Sequence, residues 1–212
     1  MFEKSCKPVV ENGLVVGNVY DKQTTQNPIA KWLVKNFDQC FLDLIAPLNP
    51  DNVLEVGCGE GRLTKLLLER TTASIRSMDV SDAVLQIATE SLVSDRVRLE
   101  NKSIYDLDER VEPGVDLVVC CEVLEHLQDP RQGLEKLQAV ANPYCLLSVP
   151  SEPIWRILNM MRGAYWRELG NTPGHIQHWN RKEFIGMVSD FFHVEEVKEP
   201  LPWIMTLCRS KR

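Results

Sequence analysis

The 212-residue sequence predicts an α/β fold, a doubly wound and mostly parallel sheet with helices on both faces. Three observations carry that expectation. A short apolar strand, Val53 to Val56, runs into a turn with glycines at positions 57, 59 and 61, and a helix follows at once. Short apolar strands and amphipathic helices then alternate toward the C-terminus. Within that alternation, Val115-Asp116-Leu117-Val118-Val119-Cys120 is a nearly continuous apolar run, as a central parallel strand covered on both faces is.

Bulk properties narrow the class. The length suits one α/β domain with a modest insertion, read as an N-terminal arm and helix over 1–49, a core over 50–153, a lid insertion over 154–180 and a last helix with two strands over 181–212. A net charge of −6 gives no general attraction to a nucleic-acid backbone, so nucleic acid is not the expected partner. Seven cysteines without a C-x-x-C pair argue for reduced thiols in a cytoplasmic protein, and against a disulfide framework or a cysteine zinc site. The start, Met1 to Pro8, lacks an apolar core of signal-peptide length, and no run approaches membrane-spanning length.

Taken in order, residues 1–26 read as irregular, with Asn12-Gly13 a turn and Tyr20 or Asp21 placed to touch a ligand if the arm closes. Asn27-Pro28 opens a helix, since asparagine caps and proline suits the first helical position; Ile29, Leu33, Phe37, Phe41 and Leu44 form its stripe, and Pro47 stops it. The glycines after Val56 let the chain turn sharply, and their amides with the following helix N-terminus would offer donors to an anionic group. That helix has Leu63, Leu66, Leu67 and Leu68 inward and Lys65, Glu69 and Arg70 outward. Glu55, an acid inside a buried strand, needs partners and suggests a polar or cationic ligand nearby. A second strand, Ala73 to Val80, ends in Met78-Asp79-Val80. Asp79 stands 22 residues beyond Gly57, where an acid at the end of strand two accepts hydrogen bonds from ribose hydroxyls. A capping role at the next helix is its alternative.

A helix over Ala83 to Leu92 precedes a third strand at Val97 to Glu100. The fourth strand empties into Cys121-Glu122-Val123-Leu124-Glu125-His126-Leu127-Gln128-Asp129-Pro130, which should line the site because ligands of open α/β sheets lie at strand carboxyl ends. A helix after Pro130, a fifth strand from Tyr144 to Val149, a capping box at Asn180-Arg181-Lys182-Glu183 and two final antiparallel strands, Phe192 to Val197 and Trp203 to Cys208, complete the pattern. Residues 154–182 carry Arg156, Arg162, Arg167, Arg181 and Lys182 against Glu168 alone, with Trp155, Tyr165, Trp166, Trp179, His175 and His178 among them. Arginines beside aromatic rings suit flat or anionic ligands; a solvated helix with packing tryptophans is the equal alternative.

Val53-Leu54-Glu55-Val56-Gly57-Cys58-Gly59-Glu60-Gly61 resembles the first motif of the class I S-adenosylmethionine-dependent methyltransferases, (V/L)-(L/D)-(E/D)-(V/L)-G-x-G-x-G, at every position. Glu122 to Pro130 is similar to the E-x-L-E-H-x-x-D-P segment of the methyltransferases of ubiquinone and menaquinone synthesis. The resemblance implies a Rossmann-like seven-stranded sheet, mostly parallel with an antiparallel last strand, and a lid insertion over the acceptor. It implies S-adenosylmethionine as cofactor, S-adenosylhomocysteine as product, and cofactor contacts from Glu55, Gly57, Cys58, Gly59, Gly61, Asp79, Val80, Ser103, Ile104, Cys121 and Glu122. Ser103 stands where the family more often has aspartate. The implied reaction is methyl transfer to a small-molecule acceptor, anionic or aromatic, and to oxygen in the first instance. A hydroxyl must lose its proton, so His126, then His175 and His178, are the catalytic candidates.

Two other readings stand beside this one. Small-RNA terminal 2′-O-methyltransferases also carry E-x-x-E-H, and there the acids and histidine bind a metal; by that resemblance Glu122, Glu125, His126 and His175 would hold a divalent ion here. The first reading assigns these residues no metal. The third is a non-catalytic cofactor-binding subunit, against which the intact glycine turn and Asp79 speak.

Overall fold

The computed structural model describes residues 9–11, 14–16, 27–110, 112 and 114–212. The elements run β1 (Val9–Glu11), β2 (Leu14–Val16), α1 (Pro28–Ile45), β3 (Asn52–Val56), α2 (Arg62–Arg70), β4 (Ser74–Asp79), α3 (Asp82–Ser91), β5 (Val97–Asn101), β6 (Leu117–Cys121), α4 (Pro130–Val140), β7 (Tyr144–Pro150), α5 (Ile154–Met161), α6 (Arg181–Ser189), β8 (Phe192–Lys198) and β9 (Trp203–Ser210). Single 3-10 turns occupy Ile104–Asp106 and Leu124–His126.

Seven strands form one sheet in the order β5-β4-β3-β6-β7-β9-β8. Neighbours pair in parallel except around β9, which runs antiparallel to both β7 and β8. The sheet reverses direction of winding between β3 and β6, which places their carboxyl ends at the crevice where such sheets bind ligands. Strand alternation sends Val53, Leu117, Val119 and Leu146 to one face, under α1 and α2, and Leu54, Val56, Val118 and Leu147 to the other, under α4 and α6. This is the sheet expected from the sequence, down to the antiparallel last strand.

Local chemistry explains the helix ends. The side chain of Asn27 accepts from the Ile29 amide, with Pro28 in the first turn. Ser81 caps α3, Asp129 caps α4, and Asn180 with Glu183 closes the anticipated capping box on α6. The stripe of α1 is buried only from Phe37 onward; Ile29 is 67 % exposed, because the sheet lies under the second half of the helix. The N-terminal stretch differs from its irregular reading. Val9–Glu11 and Leu14–Val16 pair antiparallel, as valine-rich segments do when they find a partner. The Asn12-Gly13 turn and the assignments at Tyr20 and Asp21 lie outside the described residues. Between β7 and α6 the chain forms α5 and a hydrogen-bonded loop, whose return is fixed by the bridge from Ser151 to Trp179. No helix among the described residues is long and apolar enough to cross a membrane. The six described cysteines are free thiols.

Candidate active site

The glycine turn is built by backbone geometry. Gly57, Gly59 and Gly61 take φ of +77°, +54° and +83°, a region costly for residues with a Cβ. Their surroundings differ. A Cβ on Gly57 would lie 2.2 Å from a methyl of Val123, and one on Gly61 would lie 2.6 Å from a methyl of Leu92. Over Gly59 nothing lies within 4 Å. Gly57 and Gly61 are therefore closed by packing, and Gly59 is where a ligand can approach the backbone.

The expectation that the turn's amides await an anion is not met. The Gly57 and Cys58 amides both donate to the Met78 carbonyl, at 2.8 and 3.0 Å, and the Gly61 amide donates to the Cys58 carbonyl. The Gly59 amide donates to Asp79 Oδ2 at 2.9 Å, and the Ser81 amide to Asp79 Oδ1 at 3.0 Å. Asp79 thus braces the turn from the end of β4. Each of its oxygens has a second lone pair for a ligand hydroxyl. Beside it Val80 is 45 % exposed, an apolar surface at the mouth.

Glu55 is turned away from the mouth. Its Oε2 accepts from Thr64 Oγ1 at 2.5 Å and Ser77 Oγ at 2.9 Å, locking β3 to α2 and β4 in the core. Burial pushes its carboxyl pKa up, against the pull of those two hydroxyls. Cys58 and Cys121 are buried beside the turn, and burial raises both thiols far above the ordinary range. Ser103 Oγ accepts from the Tyr105 amide and caps the 3-10 turn, leaving its proton to donate. Ile104 is buried in the core, so its side chain is a support and not a surface.

Two residues join the site that the sequence reading missed. Arg62 opens α2, where a cation opposes the helix dipole, and that conflict was the signal available. Its guanidinium pairs with Asp38 of α1 and lies over the Phe37 ring at 5.3 Å. Trp203, at the start of β9, donates to Glu122 Oε2 at 2.6 Å and meets Phe37 edge-on. Glu122 Oε1 accepts from Ser148 Oγ at 3.0 Å, and Glu122 holds a left-handed φ of 61°. Val34, Phe37, Arg62, Glu122 and Trp203 line a small cavity here.

Past the end of β6, Glu125, His126 and His175 offer one ligand atom each, all within 4.8 Å of one another. The chain makes this meeting by strapping residues 172–177 across the 3-10 turn. The Ile176 and Gln177 amides donate to the Glu125 carbonyl at 3.0 Å, and Gln177 Nε2 donates to the Leu127 carbonyl. His126 Nδ1 lies 2.9 Å from the Gly174 carbonyl, which holds the proton on that nitrogen and leaves Nε2 as the acceptor. The His175 ring meets His126 edge-on at 4.9 Å and stacks on Trp155 at 5.7 Å. Glu125 and His175 are buried. His178 does not join them: its Nε2 lies 2.8 Å from Asn171 Oδ1 and 3.2 Å from Arg156 Nη2. Burial and the neighbouring Arg156 charge hold its pKa down. Glu122 also stands apart, held by Trp203 and Ser148.

Residues 54–147 match the family model described as a methyltransferase domain. The ubiquinone biosynthesis O-methyltransferase of Cupriavidus pinatubonensis is 33 % identical over 165 residues, covering 70 % of this chain and 65 % of that protein. The chain belongs to the class I S-adenosylmethionine-dependent methyltransferases. The protein of the same name from Hahella chejuensis is 36 % identical over 107 residues, 49 % of this chain and 44 % of its own length. The chain spans about half the length of most of the curated relatives it matches, at 44 % to 45 % for several. Among solved structures, the methyltransferase domain of bacterial CtHen1-C superposes with TM-score 0.66 at 24 % identity, covering 85 % of this chain and all of that one. Magnesium protoporphyrin IX methyltransferase from Synechocystis PCC 6803, with bound S-adenosylhomocysteine, gives TM-score 0.65 at 16 % identity, over 89 % of this chain and 90 % of that one. These two likenesses are of fold. S-adenosylmethionine is the family's cofactor, and the open approach over Gly59 beside the Asp79 carboxylate fits it.

Proposed function

We propose that this chain transfers the methyl group of S-adenosylmethionine to a hydroxyl oxygen of a small-molecule acceptor. The observation that carries the reading is the convergence of Glu125, His126 and His175 beyond the carboxyl end of β6. The cofactor would lie over Gly59, with ribose hydroxyls donating to Asp79 and the adenine between Val80 and the Ser103 hydroxyl. Arg62 and Glu122 line the cavity suited to the amino-acid end, one cation and one anion for a zwitterion. Glu55, Gly57, Cys58, Gly61, Ile104 and Cys121 serve by holding the turn and the strand ends in place.

Methyl transfer is an in-line displacement. The acceptor oxygen forms a bond to the methyl carbon as the carbon–sulfur bond breaks, and the bonding pair leaves with sulfur as the neutral thioether. No covalent enzyme intermediate is needed; alignment and exclusion of water supply the acceleration. The hydroxyl proton passes to His126 Nε2 of the tautomer whose Nδ1–H donates to the Gly174 carbonyl. The buried Glu125 carboxylate favours the imidazolium that results. The name shared by the C. pinatubonensis and H. chejuensis relatives supports oxygen as the methylated atom.

The donor cluster favours one variant of this reading. Glu125, His126 and His175 are hard and borderline ligands at chelating distance, and they would hold a divalent cation, with His126 Nε2 then a ligand and not the proton acceptor; Glu122, engaged with Trp203, would not. Such an ion would supply positive charge that lowers the pKa of the acceptor hydroxyl. Incubation of the pure protein with methyl-labelled cofactor and separate metabolite and RNA extracts tests the function. Label entering a metabolite as a methyl ether supports it, and label entering RNA alone, or neither fraction, overturns it. Chelation then decides the cation: full activity without metal removes that variant, and loss restored by magnesium or manganese in wild type but not in Glu125→Gln establishes it.

A further inference from the structure

We infer that the open edge of β5 is a dimerisation surface, on which β5 of a second copy of this chain pairs antiparallel about a two-fold axis at Leu99. β5 ends the sheet on one side, and no strand among the described residues pairs with its outer side. On the inner side β4 engages alternate residues. The Ile75 amide donates to the Arg96 carbonyl at 2.8 Å, and the Lys102 amide donates to the Asp79 carbonyl at 3.0 Å. Between those bonds the parallel ladder runs in register from Val97 to Asn101, so Arg98 and Glu100 face β4. The amides and carbonyls of Leu99 and Asn101, and the Val97 carbonyl, therefore point outward. The Val97 amide is taken by the Ser94 carbonyl.

The two edges of the sheet differ. β8, at the far side, carries a register shift between Val194 and Glu196, a device that spoils an edge for further pairing. β5 pairs through all five of its residues without a shift, and its outer side keeps a regular strand geometry.

Charge selects the occupant. Arg98 and Glu100 share one face of β5, opposite to Val97 and Leu99. The nearby Arg76 and Lys102 are both engaged by Glu112. Arg98 and Glu100 enter no ion pair among the described residues, and Arg98 is exposed. In a pair centred on Leu99, each Leu99 amide donates to the Leu99 carbonyl of the other copy, and each Asn101 amide reaches the opposite Val97 carbonyl. Arg98 then stands across from Glu100 of the other copy, twice. These are the non-hydrogen-bonded positions, where Cα atoms are about 4.5 Å apart and side chains lie closest. Moving the axis by one residue sets Arg98 against Arg98 or Glu100 against Glu100, so the charges fix the register. On the other face α3 packs on β5. Ile87, 49 % exposed, and Val93, 93 % exposed just past the helix, bring apolar surface to the seam. A strand of another protein could take the same edge, but self-complementary charge is what a two-fold interface requires. The inference does not rest on methyl transfer, since none of these side chains is assigned to the cofactor or the proton.

Sedimentation velocity of the full chain over a concentration series tests it, with a concentration-dependent dimer expected. Arg98→Glu and Glu100→Arg each set like charges opposite and should each weaken association about tenfold. An equimolar mixture of the two single variants again opposes unlike charges at every facing pair, and should associate as wild type does. Leu99→Pro removes the outward amide while leaving the bonds to β4, and should abolish the dimer. Circular dichroism checks each fold; where Leu99→Pro does not fold, the two reversals and their mixture decide. A monomer at every concentration, a dimer indifferent to both reversals, or a mixture that fails to recover association would overturn the inference.

Discussion

Alanine at Gly57 and at Gly59 should separate folding from ligand approach. Both positions have positive φ, and a left-handed residue with a Cβ costs about 1–2 kcal/mol. At Gly57 the new Cβ would also press to 2.2 Å of the Val123 methyl, and overpacking of that kind adds about 1–3 kcal/mol. Gly57→Ala should therefore lose about 2–5 kcal/mol in urea unfolding, and Gly59→Ala about 1–2 kcal/mol. Trimming the neighbour isolates the steric part: in a cycle with Val123→Ala, a coupling of about 1–3 kcal/mol in favour of the double variant is expected. Binding should show the reverse order. Gly59→Ala, which meets no protein atom, should weaken S-adenosylhomocysteine more than tenfold in calorimetry because its methyl enters the ligand's approach. Equal stability losses at both positions with no coupling to Val123, or unchanged affinity in Gly59→Ala, would refute this division.

Further expectations follow from the same geometry. Asp79→Asn should weaken cofactor binding by about 1–3 kcal/mol in calorimetry, since a neutral amide replaces an acceptor-only carboxylate at the Gly59 and Ser81 amides. Glu55 has a folded-state pKa raised by burial, so its contribution to stability is full below the unfolded value of 4.5 and is lost as pH rises through the folded value; Glu55→Gln, which does not titrate, should gain on wild type over that interval in urea unfolding. With an acceptor in hand, His126→Ala should cost about 100-fold or more in turnover and His178→Ala little, as initial-rate measurements will show. Thermal unfolding of Asp38→Asn should change by less than about 1 kcal/mol, because the Arg62–Asp38 pair is partly exposed.

The parts of the site that are local in sequence were legible there. Glycine spacing and an acid at the end of the next strand depend on one strand–turn–helix unit and its neighbour, and both are where expected. The direction of Glu55 was less apparent, although Thr64 interrupts the apolar face of α2 and marks its partner. The use of the Gly57 and Cys58 amides was not legible, because their acceptor is the Met78 carbonyl of a paired strand. The choice between His175 and His178 depends on straps from Gly174, Ile176 and Gln177 to the Glu125–Leu127 segment, about 50 residues away in the chain. Trp203 reaches Glu122 only because β9 inserts between β7 and β8, a sheet order that no local pattern specifies.

Calorimetric titration of the folded protein with S-adenosylmethionine, S-adenosylhomocysteine and NAD tests the central assignment without knowledge of the acceptor. One site for each of the first two, no heat with NAD, weakening in Asp79→Asn and no change in His178→Ala are expected. Heat with NAD, or none with either form of the methyl donor in protein shown to be folded, would contradict it.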